Sequence, residues 1–226
     1  AKFASVLSNS GMSKGDRIAI LSPNCAEFVI AFYGIVRMGG IVTTINSGYR
    51  EMEISHQIKN SGCKVMIAHH SLNEPLEKAY SLNQEKLRTI LISEDSAEGS
   101  FWDQIHRADA SIPVEIDSKK DIAALPYSSG TTGLSKGVML SHYNLVSNVE
   151  QLTGLSGSSK LEKDDIVLVH LPLFHIYGMN VLMNGCIAVG ATQVMMGRFD
   201  MDEFLNLIEQ NGVTKLFTVP PVGLGL

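Results

Sequence analysis

Short apolar runs rich in β-branched residues alternate with helix-length segments along most of this 226-residue chain. The runs at 17–22, 41–45, 64–69 and 87–93 predict buried strands. The segments between them have the length and the polar and apolar spacing of helices. Strands alternating with helices form βαβ units around a parallel sheet. The sequence therefore predicts an α/β protein with parallel sheets flanked by helices.

The alternation resumes after a small, polar and charged segment at 153–165, which is the best candidate for a subdomain boundary. We predict a first α/β subdomain over 1–155 and the start of a second over 156–226. Strands are predicted at 165–172, 191–196 and 213–220, with helices at 178–189 and 200–212.

A stretch without any Asp, Glu, Lys or Arg, between Asp165 and Arg198, is long enough to cross a bilayer. Pro172, Gly178 and Gly185 interrupt it, so a buried strand, a turn, a buried helix and a second strand explain it better. No membrane span is predicted.

Charge and cysteine content exclude several kinds of partner. The net charge is −5, which argues against a sequence-independent nucleic-acid binder because such a protein needs a basic face. Three scattered cysteines form no CxxC pair, so neither a disulfide framework nor a structural zinc site is predicted. A reducing compartment fits this cysteine usage best.

Residues 127–137 read YSSGTTGLSKG, with three glycines, five Ser or Thr hydroxyls, one lysine and no acid. Apolar strand-like segments flank it, so it is predicted to be the tip of a hairpin. Glycines allow backbone N–H groups to converge on a phosphate, and Lys136 adds a positive charge. The spacing is neither that of GxxxxGK[ST] nor that of GxGxxG. On composition alone, a mobile surface hairpin is the alternative.

The segment YSSGTTGLSKGVMLSH resembles the phosphate-loop signature of the adenylate-forming superfamily. LPLFHIYGM at 171–179 is similar to the family's next motif, and residues 196–221 and 11–46 also resemble it. Within the superfamily the chain is most similar to 4-coumarate-CoA ligases, acyl-CoA synthetases and luciferases. The resemblance implies an incomplete N-terminal domain of such an enzyme, with the small C-terminal catalytic domain absent.

The resemblance implies a two-step ligase reaction that uses ATP, Mg²⁺, coenzyme A and a small aromatic or fatty carboxylic acid. Lys136 and His175 take the catalytic roles, and His175 and Tyr177 also contact the acid. Arg198 matches a residue that contacts the phosphates of coenzyme A. From the sequence alone, His175 would be a core histidine and Arg198 a solvated charge. The resemblance assigns ATP phosphate binding to Ser128, Ser129, Gly130, Thr131, Thr132, Gly133 and Lys136.

Two departures qualify the resemblance. Ser135 stands where the family usually has proline. The family's downstream motifs, including the ribose-binding aspartate and the catalytic lysine of the small C-terminal domain, are missing. We therefore expect this fragment to be inactive on its own. A peptide-synthetase adenylation domain, a luciferase-type enzyme and a non-catalytic nucleotide-binding module remain alternatives. The expected location is cytoplasmic, with the peroxisome as the alternative.

Overall fold

The structure, a computed structural model, describes residues 1–93, 97–110, 114–128, 135–157 and 160–225. The chain divides into two compact units. The first unit contains residues 1–22 and 27–144, and the second contains residues 23–26 and 145–226. The subdomain boundary that the sequence places after residue 155 remains a prediction.

The first unit is built on a sheet that confirms the α/β prediction. Its strands follow the order β4-β3-β1-β2-β5-β8, and all neighbours are parallel except β5 and β8. The central strand β1 is buried at every residue after Arg17, as expected for a strand covered on both faces. β6 and β7 pair separately as a short antiparallel ribbon. The strands are β1 (Arg17–Leu21), β2 (Ile41–Ile45), β3 (Val65–His69), β4 (Arg88–Ile92), β5 (Ile122–Ala124), β6 (Tyr127–Ser128), β7 (Lys136–Gly137) and β8 (Leu140–Ser141).

Helices cover this sheet with their apolar sides. Ile54 and Ile58, spaced one turn apart on α3, pack with Leu76 of α4 against Leu21 and Met66 of the sheet. Elsewhere in the unit, the rings of Phe3 in α1 and Phe101 in α5 lie 4.6 Å apart. The helices are α1 (Lys2–Asn9), α2 (Ala26–Arg37), α3 (Glu51–Ser61), α4 (Asn73–Asn83) and α5 (Phe101–Arg107). The next helix, α6 (His142–Thr153), begins at the end of this unit and belongs to the second unit from Leu145 onward.

The second unit contains the parallel pair β9 (Ile166–Val169) and β10 (Thr192–Met195). Phe204 of α8 (Met201–Asn211) is buried against Leu168 and Met196. The predicted helix at 178–189 is a π-helical segment, Tyr177–Asn184, followed by α7 (Gly185–Val189), and α9 (Pro220–Gly223) lies near the end.

The strand predicted at 213–220 is wrong in extent, because its β pairing with the described residues is a single parallel bridge, between Lys215 and Val167. Within the described ranges, no helix has both the length and the apolar character needed to cross a membrane.

Candidate functional site

Strands β6 and β7, which border the glycine-rich segment in the sequence, form a short antiparallel hairpin. Tyr127 pairs with Gly137 and Ser128 pairs with Lys136 in antiparallel register. The amide of Val138 donates to the carbonyl oxygen of Pro126 at 2.9 Å and extends the ladder by one bond. The predicted hairpin is therefore confirmed, and its paired ends carry a hydroxyl and an ammonium side by side.

Part of the predicted phosphate site lies outside the described residues, namely Ser129, Gly130, Thr131, Thr132 and Gly133. Of the other predicted phosphate ligands, the side chains of Ser128 and Lys136 are both exposed. Within the described part of the chain, the Lys136 ammonium has neither a hydrogen bond nor an ion pair. It can therefore be offered to an anion without breaking a contact to any described residue.

A tyrosine ring covers the glycine of this hairpin. A Cβ placed on Gly137 would lie 3.0 Å from Cε2 of Tyr127, which is closer than normal carbon contacts. The hydroxyl of Tyr127 donates to Oδ1 of Asn60 in α3 at 2.6 Å. Burial raises the pKa of Tyr127, so this hydroxyl stays protonated as the hydrogen bond requires.

The second predicted motif follows β9, and a buried asparagine fixes its path. The Asn24 amide nitrogen donates to the carbonyl oxygens of Val169 at 3.1 Å and Leu171 at 3.0 Å. Its Oδ1 accepts from the amide of Leu173 at 2.8 Å. One side chain thus satisfies three backbone groups just before His175. No role for Asn24 was predicted from the sequence, because these partners lie about 145 to 149 positions away.

We expect Asn24→Asp to lower the free energy of unfolding by about 2 to 3 kcal/mol, since it removes both donors and faces a carboxylate with two carbonyl oxygens. Urea denaturation followed by circular dichroism measures this loss. Asn211→Asp makes the same chemical change on the exposed end of α8, where the amide contacts one carbonyl, that of Leu207. Equal losses in the two variants would contradict a pinning role for Asn24.

His175 is exposed, which corrects the alternative interpretation of a core histidine. Its Nδ1 accepts from the backbone amide of Tyr177 at 3.3 Å, so Nε2 is the ring nitrogen left to face a ligand. The Tyr177 ring is half-buried, and its hydroxyl donates to the carbonyl oxygen of Thr218 at 3.5 Å. These two predicted acid-binding residues therefore lie together on one turn, with different accessibility.

At Gly178 the turn lies too close to the preceding segment for any side chain to fit. A Cβ at Gly178 would lie 2.2 Å from the carbonyl oxygen of Pro172 and 2.8 Å from that of Leu171. Both are backbone atoms, so no rotamer change could make room. Arg198, the predicted coenzyme A contact, is exposed just after β10 in the same unit.

Comparison with known proteins identifies the family. The sequence profile described as "AMP-binding enzyme" matches residues 1–225. The chain belongs to the AMP-binding enzyme family. It is 37% identical to 4-coumarate–CoA ligase 3 of Arabidopsis thaliana and 39% identical to 4-coumarate–CoA ligase 2 of Solanum tuberosum. Both alignments cover the whole chain, which spans about two-fifths of each relative (40% and 41%).

Solved structures of other AMP-binding enzymes share this fold. A long-chain-fatty-acid–CoA ligase of Archaeoglobus fulgidus superposes with a TM-score of 0.88 at 28% identity, over 98% of this chain and 43% of that one. ATP-bound MatB of Rhodopseudomonas palustris superposes with a TM-score of 0.82 at 29% identity, over 98% of this chain and 42% of that one. The predicted resemblance and fold class are confirmed.

Three histidines other than His175 need comment. Adjacent residues within a strand point to opposite faces, but His69 and His70 do not. β3 ends at His69 and a 3₁₀ turn begins at His70, so the ring centroids lie 4.3 Å apart. His170 is buried, and its Nε2 lies 3.0 Å from the Thr218 hydroxyl. Burial lowers the pKa of His170 and favours the neutral ring.

Two buried cysteines and one cleft of this chain include none of the predicted site residues. Burial raises the pKa of the Cys63 thiol to about 11 and that of Cys186 to about 12, so neither is a ready nucleophile. Among the described residues, no cluster of three His, Cys, Asp or Glu side chains could hold a metal ion. A cleft of about 540 Å³ between α1, β4 and α5 includes none of the predicted site residues.

Proposed function

We propose that the protein containing this chain is an ATP-dependent carboxylic acid–CoA ligase. In the first step, a carboxylate oxygen attacks the α-phosphorus of ATP, the bond to the β-phosphate oxygen breaks, and pyrophosphate leaves. In the second step, the thiol sulfur of coenzyme A attacks the acyl-adenylate carbonyl, and AMP leaves. The products are acyl-CoA, AMP and pyrophosphate.

The observation that carries this proposal is the register of the β6–β7 hairpin. Ser128 and Lys136 pair across the hairpin, so a hydroxyl and an ammonium that has no partner among the described residues stand together beside the glycine-rich segment. A triphosphate needs this combination of neutral donors and one positive charge. The family match over residues 1–225 supports the same interpretation.

We assign particular residues to binding the leaving pyrophosphate and offsetting its charge. Lys136 offsets the negative charge that develops as the bond to the α-phosphorus breaks. Mg²⁺ arrives bound to the triphosphate of ATP and neutralises more of the negative charge on the phosphates. The described hydroxyl that could face this complex is that of Ser128, which suits the oxygen preference of Mg²⁺. The remaining donors assigned to the phosphates are Ser129, Gly130, Thr131, Thr132 and Gly133.

The acid and the thiol acceptor are assigned to the second motif. Nε2 of His175 orients the carboxylate, the Tyr177 ring forms part of the pocket wall, and Arg198 contacts a phosphate of coenzyme A. The names of the relatives, 4-coumarate–CoA ligases and a fatty-acid–CoA ligase, support an aromatic or fatty acid and a coenzyme A acceptor. We place the enzyme in the cytoplasm, with the peroxisome as the alternative.

Product analysis of the full-length protein tests the proposal. The protein is incubated with MgATP, coenzyme A and one acid at a time from an aromatic and an aliphatic series. We expect AMP and an acyl-CoA in equal amounts with one acid class, detected by mass spectrometry. Formation of ADP, or of AMP without any thioester, would count against a CoA ligase.

A further inference from the structure

Helix α3 contacts the hairpin from which the glycine-rich segment rises. We call β6, β7 and the adjoining Ser135 the loop stem. We propose that His56 and Asn60 are positioning residues that hold the loop stem against α3 and thereby set the place of Lys136. This inference deepens the proposed function and rests on it, since it concerns the hairpin assigned to the phosphates of ATP.

The first contact fixes the backbone beside the lysine. Nε2 of His56 lies 3.3 Å from the carbonyl oxygen of Ser135, and because a carbonyl can only accept, the ring nitrogen donates. Ser135 immediately precedes Lys136 in the chain. The hydrogen bond therefore restrains the peptide group from which the lysine side chain departs.

The second contact fixes the opposite strand of the loop stem. Asn60 follows His56 by four positions, so both side chains lie on one face of α3. Its Oδ1 accepts from the Tyr127 hydroxyl at 2.6 Å, while the Tyr127 ring covers Gly137 of β7. Asn60 thus holds a ring that touches both strands, and the two contacts on α3 restrain β6 and β7 together.

A buried glutamine makes α3 a firm support for these contacts. The Gln57 amide nitrogen donates to Oγ1 of Thr43 and to the carbonyl oxygen of Thr44, each at 3.0 Å. Thr43 in turn donates to the carbonyl oxygen of Leu125 at 3.2 Å. These hydrogen bonds connect α3 to β2, and β2 to Leu125, which lies two positions before β6. They therefore resist movement of the loop stem relative to α3.

The two contacts are expected to act on ATP and not on the acid. Each hydrogen bond that orders the lysine before ATP arrives lowers the cost of ordering it on binding. The acid is assigned to His175 and Tyr177, which belong to the other unit of the chain. Loss of both α3 contacts should therefore raise the apparent KM for ATP by about threefold to tenfold and leave that for the acid unchanged.

The experiment uses the full-length protein with His56→Ala, Asn60→Ala and the double variant. His56→Gln is the conservative rescue, since its amide can also donate to the Ser135 carbonyl. Met52→Ala is the matched control, because Met52 lies on α3 with a 67% exposed side chain. Hydrogen exchange at amides 136–138 reports on the loop stem directly, and steady-state kinetics give KM for ATP and for the acid.

We expect about tenfold faster exchange at amides 136–138 in the double variant, a raised KM for ATP alone, and near wild-type behaviour of His56→Gln and Met52→Ala. Tyr127→Phe should give the same effect as Asn60→Ala, and the two together no more than either one. Unchanged exchange in the double variant, or equal shifts in both KM values, would overturn the inference. If the wild-type protein ligates no acid, the proposed function fails, and the exchange data still decide whether α3 holds the loop stem.

Discussion

Lys136→Ala is expected to slow acid-dependent ATP–pyrophosphate exchange by the full-length protein by about 10²- to 10³-fold, the usual cost of removing one charge-stabilising group from a transition state. The ammonium is exposed, and within the described residues it makes neither a hydrogen bond nor an ion pair. Its removal therefore leaves the fold unchanged and acts on the reaction. The measurement is the initial exchange rate at saturating acid and Mg²⁺.

Lys59→Ala is the matched control for charge. Lys59 is exposed on α3 in the same unit, so both variants lose one positive charge from that unit. Lys136→Arg keeps the charge and should retain an intermediate rate, because a planar guanidinium does not reproduce a point ammonium. If the two alanine variants exchange at the same rate, Lys136 has no role in the reaction.

Gly178→Ala is expected to destabilise the second unit by about 3 to 5 kcal/mol, at the upper end of single-residue effects. The added Cβ would lie 2.2 Å from the carbonyl oxygen of Pro172. Asn24 holds the same segment through its bonds to Val169, Leu171 and Leu173, so the backbone cannot easily move away. Thermal and urea denaturation of the full-length protein measure the loss.

Gly223→Ala provides the comparison in the same unit. No atom lies within 4 Å of a Cβ placed at Gly223, and its backbone lies in α9. This variant should be neutral or slightly stabilising, because alanine reduces the entropy of the unfolded chain. A loss at Gly178 no larger than that at Gly223 would show that the turn after Pro172 is loosely packed.

The sequence predicted the elements of the first unit well because each has a strong local signal. Strand β1 and helix α3 appear at the predicted places, since a continuous apolar run and a helical spacing are properties of neighbouring residues. The strand-like segment at 138–142 was less clear. β7 ends just before this segment and β8 lies within it, and the two strands pair with different partners, which periodicity cannot reveal.

The candidate site was predictable where it depends on residue type and not where it depends on distant contacts. The glycine-rich segment and the exposed His175 were found from the motifs. The contributions of Asn24, His56 and Asn60 were not, because their partners lie roughly 67 to 149 positions away. Amphipathic spacing indicates which face of α3 is buried, but it does not say which polar side chain meets the hairpin.

Carboxylate-dependent ATP–pyrophosphate exchange without coenzyme A is the most direct test of the proposed adenylation step, since it reports acyl-adenylate formation alone. The full-length protein is assayed with MgATP, labelled pyrophosphate and the aromatic and aliphatic acids in turn. We expect exchange that requires one class of acid and Lys136. Nucleotide binding without exchange for any acid would contradict it and indicate a non-catalytic nucleotide-binding module.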